Sequence, residues 1–272
     1  MIRLGYKGLL LIEKPLFDKI STLPEYNYSK VFVGSNLRFH PVIQGIAEIV
    51  QNRKIYSIDV YVGQYLPDWR TGCDYRSCYS SSRAEGGGVL RDLIHELDYV
   101  NWITGGWKGV FAIGGKFSDL EIDSDDLFGL IIETKKCPVV VIQLNYLDRR
   151  LRREIILNTQ GLSIKGDLVA NTLEVNGDCT QYDVPRDHTY HAQHRAILGR
   201  EFHSACTVEQ GEDALRLIEK AEEPGLGTGR SEGIKAFQGS VSRQARGAGV
   251  YLHTSAPGVF FGGEQKANMT CR

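Results

Sequence analysis

The stretch "LFGLIIETKKCPVVVIQLNYLDRRLRREIILNTQGLSIK" (127–165) decides the fold class. It holds four segments rich in Ile, Val and Leu, at 127–134, 138–147, 152–158 and 161–165, broken by short charged or Gly-bearing turns. Apolar segments this short read as strands, and strands joined by such turns pair antiparallel. A further strand is expected at 109–114, and "IYSIDVYVGQY" (55–65) alternates like a half-buried one. The result is a mainly antiparallel open sheet. Helices are expected on one face, and an apolar opposite face left bare would aggregate.

Helical patterns surround these strands. Pro41 opens one, with Ile43, Ile46, Ala47, Ile49 and Val50 on its apolar side. Residues 89–104 carry a buried stripe of Leu90, Leu93, Ile94, Leu97 and Val100, and 188–200 and 209–222 follow. At the front, "LLLIEKPLF" (9–17) is an apolar run stopped by charge and Pro15, and "KVFVGSN" (30–36) is a second short strand. The class is α+β. After Pro224 the chain is Gly-rich without a sustained period, and 224–272 is expected to be a disordered or appended tail.

The 272 residues balance 32 basic against 33 acidic side chains, which argues against a nucleic-acid partner. No apolar run approaches the ~20 residues of a membrane helix, so no membrane partner is expected. Cys73, Cys78, Cys137, Cys179, Cys206 and Cys271 form no CxxC pair. They read as free thiols in a reducing cytoplasm.

Three stretches can carry chemistry. Glu13-Lys14-Pro15 follows a strand end, where a lysine can hold developing negative charge; it also reads as a solvated strand terminus. "GGGVLRDLIHELDY" (86–99) sets Asp92 and His95 about 60° apart on one helix face, an acid/base with its orienter. Glu96, Asp98 and Tyr99 fall nearby, and the same pattern suits an amphipathic helix with its polar side in water. The loop 66–88 with its flank offers Tyr65, Asp68, Trp69, Arg70, Tyr75, Arg76 and Tyr79, which suit a sugar or a surface contact. "DHTYHAQH" (187–194) has a histidine spacing that strains a single metal site, and no metal is expected. "GLGTGRSEG" (225–233) follows a helix instead of a strand and fails as a dinucleotide fingerprint.

In this order, "IEKPL" (12–16), "NLRFHP" (36–41) and "GGGVLRDLIHELD" (86–98) resemble the Gfo/Idh/MocA family of NAD(P)-dependent sugar oxidoreductases. "RRLRREIILNTQGLSIKGDL" and "HTYHAQHRAIL" fit the same family, over residues ~5–223. The resemblance implies a remnant of a Rossmann domain at 1–52 and a substrate-binding and oligomerisation sheet domain at 53–223. It implies Lys14, His95 and Asp92 as catalytic residues. Some members place that acid four residues before the histidine, where this chain has Arg91, and Asp98 is a second candidate. Glu13, Lys14, Pro15 and Arg38 would lie at the NAD or NADP cofactor. Trp69, Arg70, Tyr75, Arg76 and Asp98 would meet a sugar or nucleotide-sugar substrate. A homo-oligomer, dimer or tetramer, is implied as well. The GxGxxG turn of the family is not found here, so impaired cofactor binding is expected. A non-catalytic glycan-binding or dimerising module is the alternative.

Overall fold

A computed structural model describes residues 6–17, 20, 22, 23, 25–69 and 72–223. Arg70 and the Gly-rich tail lie outside the described residues.

The first strand, β1 (Leu10–Ile12), pairs parallel with β2 (Val31–Val33), as two short apolar runs linked by a long connection do. A single 3-10 turn, Asn36–Phe39, leads into α1 (Pro41–Val50). Pro41 starts this helix because its missing N–H is not needed in the first turn, and His40 caps it by accepting from the Val42 N–H at 3.3 Å.

Strand β3 (Ile55–Gly63) opens the large sheet. The long loop after it contains, among its described residues, four single 3-10 turns between Leu66 and Glu85, and ends at α2 (Val89–Asp92) and α3 (Ile94–Thr104). Then come β4 (Trp107–Gly115), β5 (Leu127–Thr134), β6 (Val139–Asn145), β7 (Arg152–Thr159) and β8 (Leu162–Asp167). The hairpin β9 (Thr172–Val175) and β10 (Asp178–Gln181) follows, then α4 (His188–Gly199), the two-residue β11 (Cys206–Thr207) and α5 (Val208–Glu222).

The eight-stranded sheet has the order β10-β9-β8-β7-β3-β6-β5-β4. Every neighbouring pair is antiparallel except β3 with β6. The small sheet is β1-β2-β11, with β11 antiparallel to β2. The architecture is the mixed α+β one expected, with both sheets sharing a continuous apolar core.

Alternation sorts the large sheet into two faces. Ile58, Val60, Phe128, Leu130, Val140, Ile142, Ile155 and Leu157 are buried beneath the helices. α1 lies so close to β8 that a Cβ on Gly166 would stand 2.7 Å from Val42. The opposite face exposes Phe111, Ile113, Ile131, Val139, Val141 and Ile156, each at least 38% accessible. That is an apolar patch without cover.

Two features depart from the sequence reading. The hairpin of β9 and β10 was not anticipated, although Asn176-Gly177 carries its signal: both residues have positive φ, 52° and 95°, as a type I′ turn demands. The helix expected over 89–104 is broken at Leu93, whose ψ of 31° ends α2 before α3 begins.

Candidate active site

The site is assembled where β1 ends against the break between α2 and α3. Glu13 is exposed at the strand end, and the Lys14-Pro15 peptide is cis. The Lys14 Nζ donates to the main-chain carbonyl of Asp92 at 3.0 Å. Burial lowers the lysine pKa, and the neighbouring Asp92 and Glu96 work against that shift.

Glycines set the start of α2. A Cβ on Gly87 would overlap the carbonyls of Tyr79 and Ser80, and Gly88 holds φ of +114° against the Asp125 carboxylate. These glycines admit backbone and a side chain of the same protein. Asp125 in turn holds α2, its main-chain carbonyl accepting from the Val89 N–H at 3.0 Å and its carboxylate from the Leu90 N–H at 3.2 Å.

Asp92 is buried, and its Oδ2 accepts from the Tyr146 hydroxyl at 2.7 Å. Tyr146 meets Trp69 edge-to-face at a centroid separation of 5.2 Å. The Trp69 Nε1 donates to the Gln64 carbonyl at 3.3 Å. The aromatic loop is thereby tied to the acid through one tyrosine.

His95 is only partly buried as a residue, yet its Nδ1 is fully buried with no hydrogen-bond partner among the described residues. Its pKa falls well below the ordinary histidine value, first by burial and then by the positive charges of Lys14 and Arg153. The ring is neutral near pH 7. The next residue, Glu96, is wholly buried against Arg153. The Arg153 Nε stands 3.0 Å from Oε1 at an angle short of a hydrogen bond, while Nη2 donates to Oε2 at 3.3 Å. Burial raises the Glu96 pKa and Arg153 opposes the rise.

The polar side of this helix is therefore not in water: Asp92, Glu96, Asp98, Tyr99 and Asn101 are all buried. Asp98 accepts on both oxygens from Arg38, at 2.8 Å from Nε and 2.6 Å from Nη2. Arg38 also donates to Gln210 at 2.8 Å and lies over the Trp102 ring. These two side chains are engaged with each other, and Arg38 also with Gln210 of α5, at the edge of a pocket that Arg38 lines. The Cys206 thiol, 3.4 Å from Asp98, is pushed up to about 12 by burial and by that carboxylate.

Of the residues read from the sequence, Lys14, Asp92 and His95 come together, and Trp69 joins them through Tyr146. Tyr75 and Arg76 belong to the outer part of the loop: the Tyr75 hydroxyl accepts from the Glu121 N–H, and exposed Arg76 pairs with Asp74 and Glu121. His194 bonds the Tyr190 carbonyl at 2.7 Å, and no group of three or more metal-ligating side chains is found among the described residues. Tyr146 and the Glu96–Arg153 pair were missed. Tyr146 directly follows β6 and Arg153 sits among four arginines within 149–153, and neither neighbourhood signals a site.

No protein-family model and no curated protein matches the chain. Solved structures do. An oxidoreductase from Thermotoga maritima superposes with a TM-score of 0.64 at 16% identity, over 78% of this chain and 68% of that one. UDP-N-acetylglucosamine 3-dehydrogenase GnnA from Acidithiobacillus ferrooxidans gives 0.59 at 16% identity, over 81% and 70%. The WlbA dehydrogenase from Bordetella pertussis, in complex with NADH and UDP-GlcNAcA, gives 0.59 at 17%, over 79% and 70%. The fold is that of the Gfo/Idh/MocA-type oxidoreductases and sugar dehydrogenases. No helix among the described residues is long and apolar enough to cross a membrane.

Proposed function

We propose that the Lys14–His95 site carries out NAD(P)-dependent oxidation or reduction at a hydroxyl of a sugar or nucleotide sugar. The observation that carries this reading is the pairing of an anchored lysine with a neutral histidine whose Nδ1 lacks a partner. A cation and an uncharged imidazole at the carboxyl end of a parallel strand fit the reacting end of a nicotinamide dinucleotide. That group, when bound, supplies the hydride acceptor or donor.

The chain's own residues handle the proton and the oxygen. His95 takes the hydroxyl proton as the alcohol is oxidised and returns it in reduction; such a base contributes ~10²- to 10⁴-fold. Its depressed pKa keeps it able to accept at neutral pH. Lys14 holds the negative charge that develops on the oxygen. Asp92 positions Lys14 through its main-chain carbonyl, while its carboxylate is held by Tyr146 and not by the His95 ring it was expected to orient. Arg38 and Asp98 act behind the site by fixing α3, and Glu13 and Pro15 lie at the cofactor side of the strand end.

The test is a fluorescence titration with NADH and NADPH, followed by turnover assays on sugar and nucleotide-sugar substrates. Saturable binding and turnover lost in His95→Ala and Lys14→Ala support the reading. Absence of binding at millimolar cofactor overturns it for this chain. A second reading, a self-associating module without catalysis, is favoured by the bare apolar face around Ile131 and Val141. A homo-oligomer formed through that face accords with either reading.

A further inference from the structure

Two arginines of the turn joining β6 to β7 lie over tyrosine rings, and they differ in what their edges meet. The Arg152 guanidinium stands 4.3 Å from the Tyr61 ring centroid, and its Nε donates to Asp148 at 2.6 Å. The Arg149 guanidinium stands 3.4 Å from the Tyr65 centroid, and among the described residues its edge meets no acceptor. A stacked guanidinium keeps its in-plane N–H groups for a second partner, and that fork matches two oxygens of a phosphate.

The local charges leave Arg149 uncompensated. Of the four arginines within 149–153, Arg152 is matched by Asp148 and Arg153 by Glu96. Arg149 and Arg150 have no carboxylate within ion-pair distance among the described residues. The turn is fixed from within. The Oδ1 of buried Asn145 accepts from the Leu147 and Asp148 N–H groups, both at 3.0 Å, and the Asp148 Oδ1 accepts from the Arg150 N–H at 3.2 Å. A fixed turn presents its side chains with less ordering cost on binding.

This turn is tied to the candidate active site. It begins at Tyr146, whose hydroxyl donates to Asp92, and the Asp92 carbonyl holds Lys14. Tyr65 leads into Leu66, whose N–H donates to the Tyr146 carbonyl at 3.0 Å. Arg149 is exposed and follows Tyr146 by at most ~11 Å of main chain, at the rim of the site and not at its reacting atoms. We propose that Arg149, stacked on Tyr65, anchors a phosphate of the substrate, so that the site takes a sugar joined to a nucleoside diphosphate in preference to a free neutral sugar. The sugar end of this proposal rests on the oxidoreductase reading of Lys14 and His95; the phosphate anchor does not.

The test titrates the full chain with UDP by calorimetry, then measures turnover on UDP-N-acetylglucosamine and on free N-acetylglucosamine. UDP should bind saturably, and Arg149→Gln should weaken it at least ~10-fold. Arg149→Lys, which keeps the charge and loses the fork, should fall between the two. Arg53→Gln, at an exposed arginine beyond α1, should leave UDP binding unchanged. In turnover, Arg149→Gln should raise KM for the nucleotide sugar at least ~10-fold with kcat little changed, and leave the free sugar unaffected. UDP held through Arg149 by a chain that binds no NADH would support the anchor and sink the redox reading alone. UDP that fails to bind, or binds Arg149→Gln as well as the parent, overturns the proposal. NADH binding lost in Arg149→Gln would assign the arginine to the cofactor phosphates and overturn it too.

Discussion

Lys14 and Asp92, 78 residues apart in the sequence, are joined by a 3.0 Å hydrogen bond from the lysine Nζ to the aspartate's main-chain carbonyl. The break of the helix at Leu93 frees that carbonyl, which a continuous helix would engage four residues on. The bond fixes a cation beside His95 without using the Asp92 carboxylate, which remains for Tyr146.

Removing the cation separates its chemistry from its packing. Lys14→Met should lower kcat by ~10²- to 10⁴-fold in the turnover assay. Stability should hold or rise, since burial already disfavours the charged lysine. Urea unfolding measures the second quantity, and a collapse in stability would argue that Lys14 is structural.

Tyr146→Phe should leave the buried Asp92 carboxylate short of a donor and cost about 1–3 kcal/mol. Turnover should fall with it as the acid and the α2 end lose their fixed position. Calorimetry and kinetics on the same preparation check both.

The pH dependence of stability has a defined sign at His95. Its folded pKa lies well below the unfolded value of 6.5, so at lower pH the unfolded chain binds a proton that the folded one does not. Stability should fall as pH drops below 6.5, down to the depressed pKa. Glu96, whose pKa is raised above 4.5, pulls the other way, favouring the fold as it protonates. His40, also lowered, adds a limb of the same sign as His95. His95→Gln should flatten the acid limb of a denaturation series without abolishing it, and an unchanged limb would place the titration elsewhere.

The Arg38–Asp98 pair is buried, with side chains 1% and 5% exposed. Arg38→Met alone leaves an unpaired carboxylate and should cost about 3–5 kcal/mol. The double variant Arg38→Met/Asp98→Leu should recover most of that loss. Equilibrium unfolding of the two single variants and the double one measures the coupling.

The bare sheet face should mediate self-association. Sedimentation velocity is expected to give a dimer or larger species for the parent chain and a lighter one for Ile131→Glu/Val141→Glu. A parent chain that sediments as a monomer would rule the interface out.

The strands of 127–165, the apolar stripes of α1 and α5 and the order of the three motif stretches could be read from the sequence, because alternation and helical spacing are local properties of the chain. Lys14, Asp92 and His95 could be named as candidates for the same reason. What they do together could not. That Asp98 is consumed by Arg38, that Tyr146 holds Asp92 and that Arg153 faces Glu96 depend on contacts across 60, 54 and 57 residues. No local pattern encodes such partners. The helix polar face reads in the sequence either as a site or as a solvated surface; the fold buries it, because the neighbours that cover it come from distant segments. Residue types and spacings determined which elements form; only the packing of those elements decided which charges meet, which are buried, and which nitrogen is left unpaired.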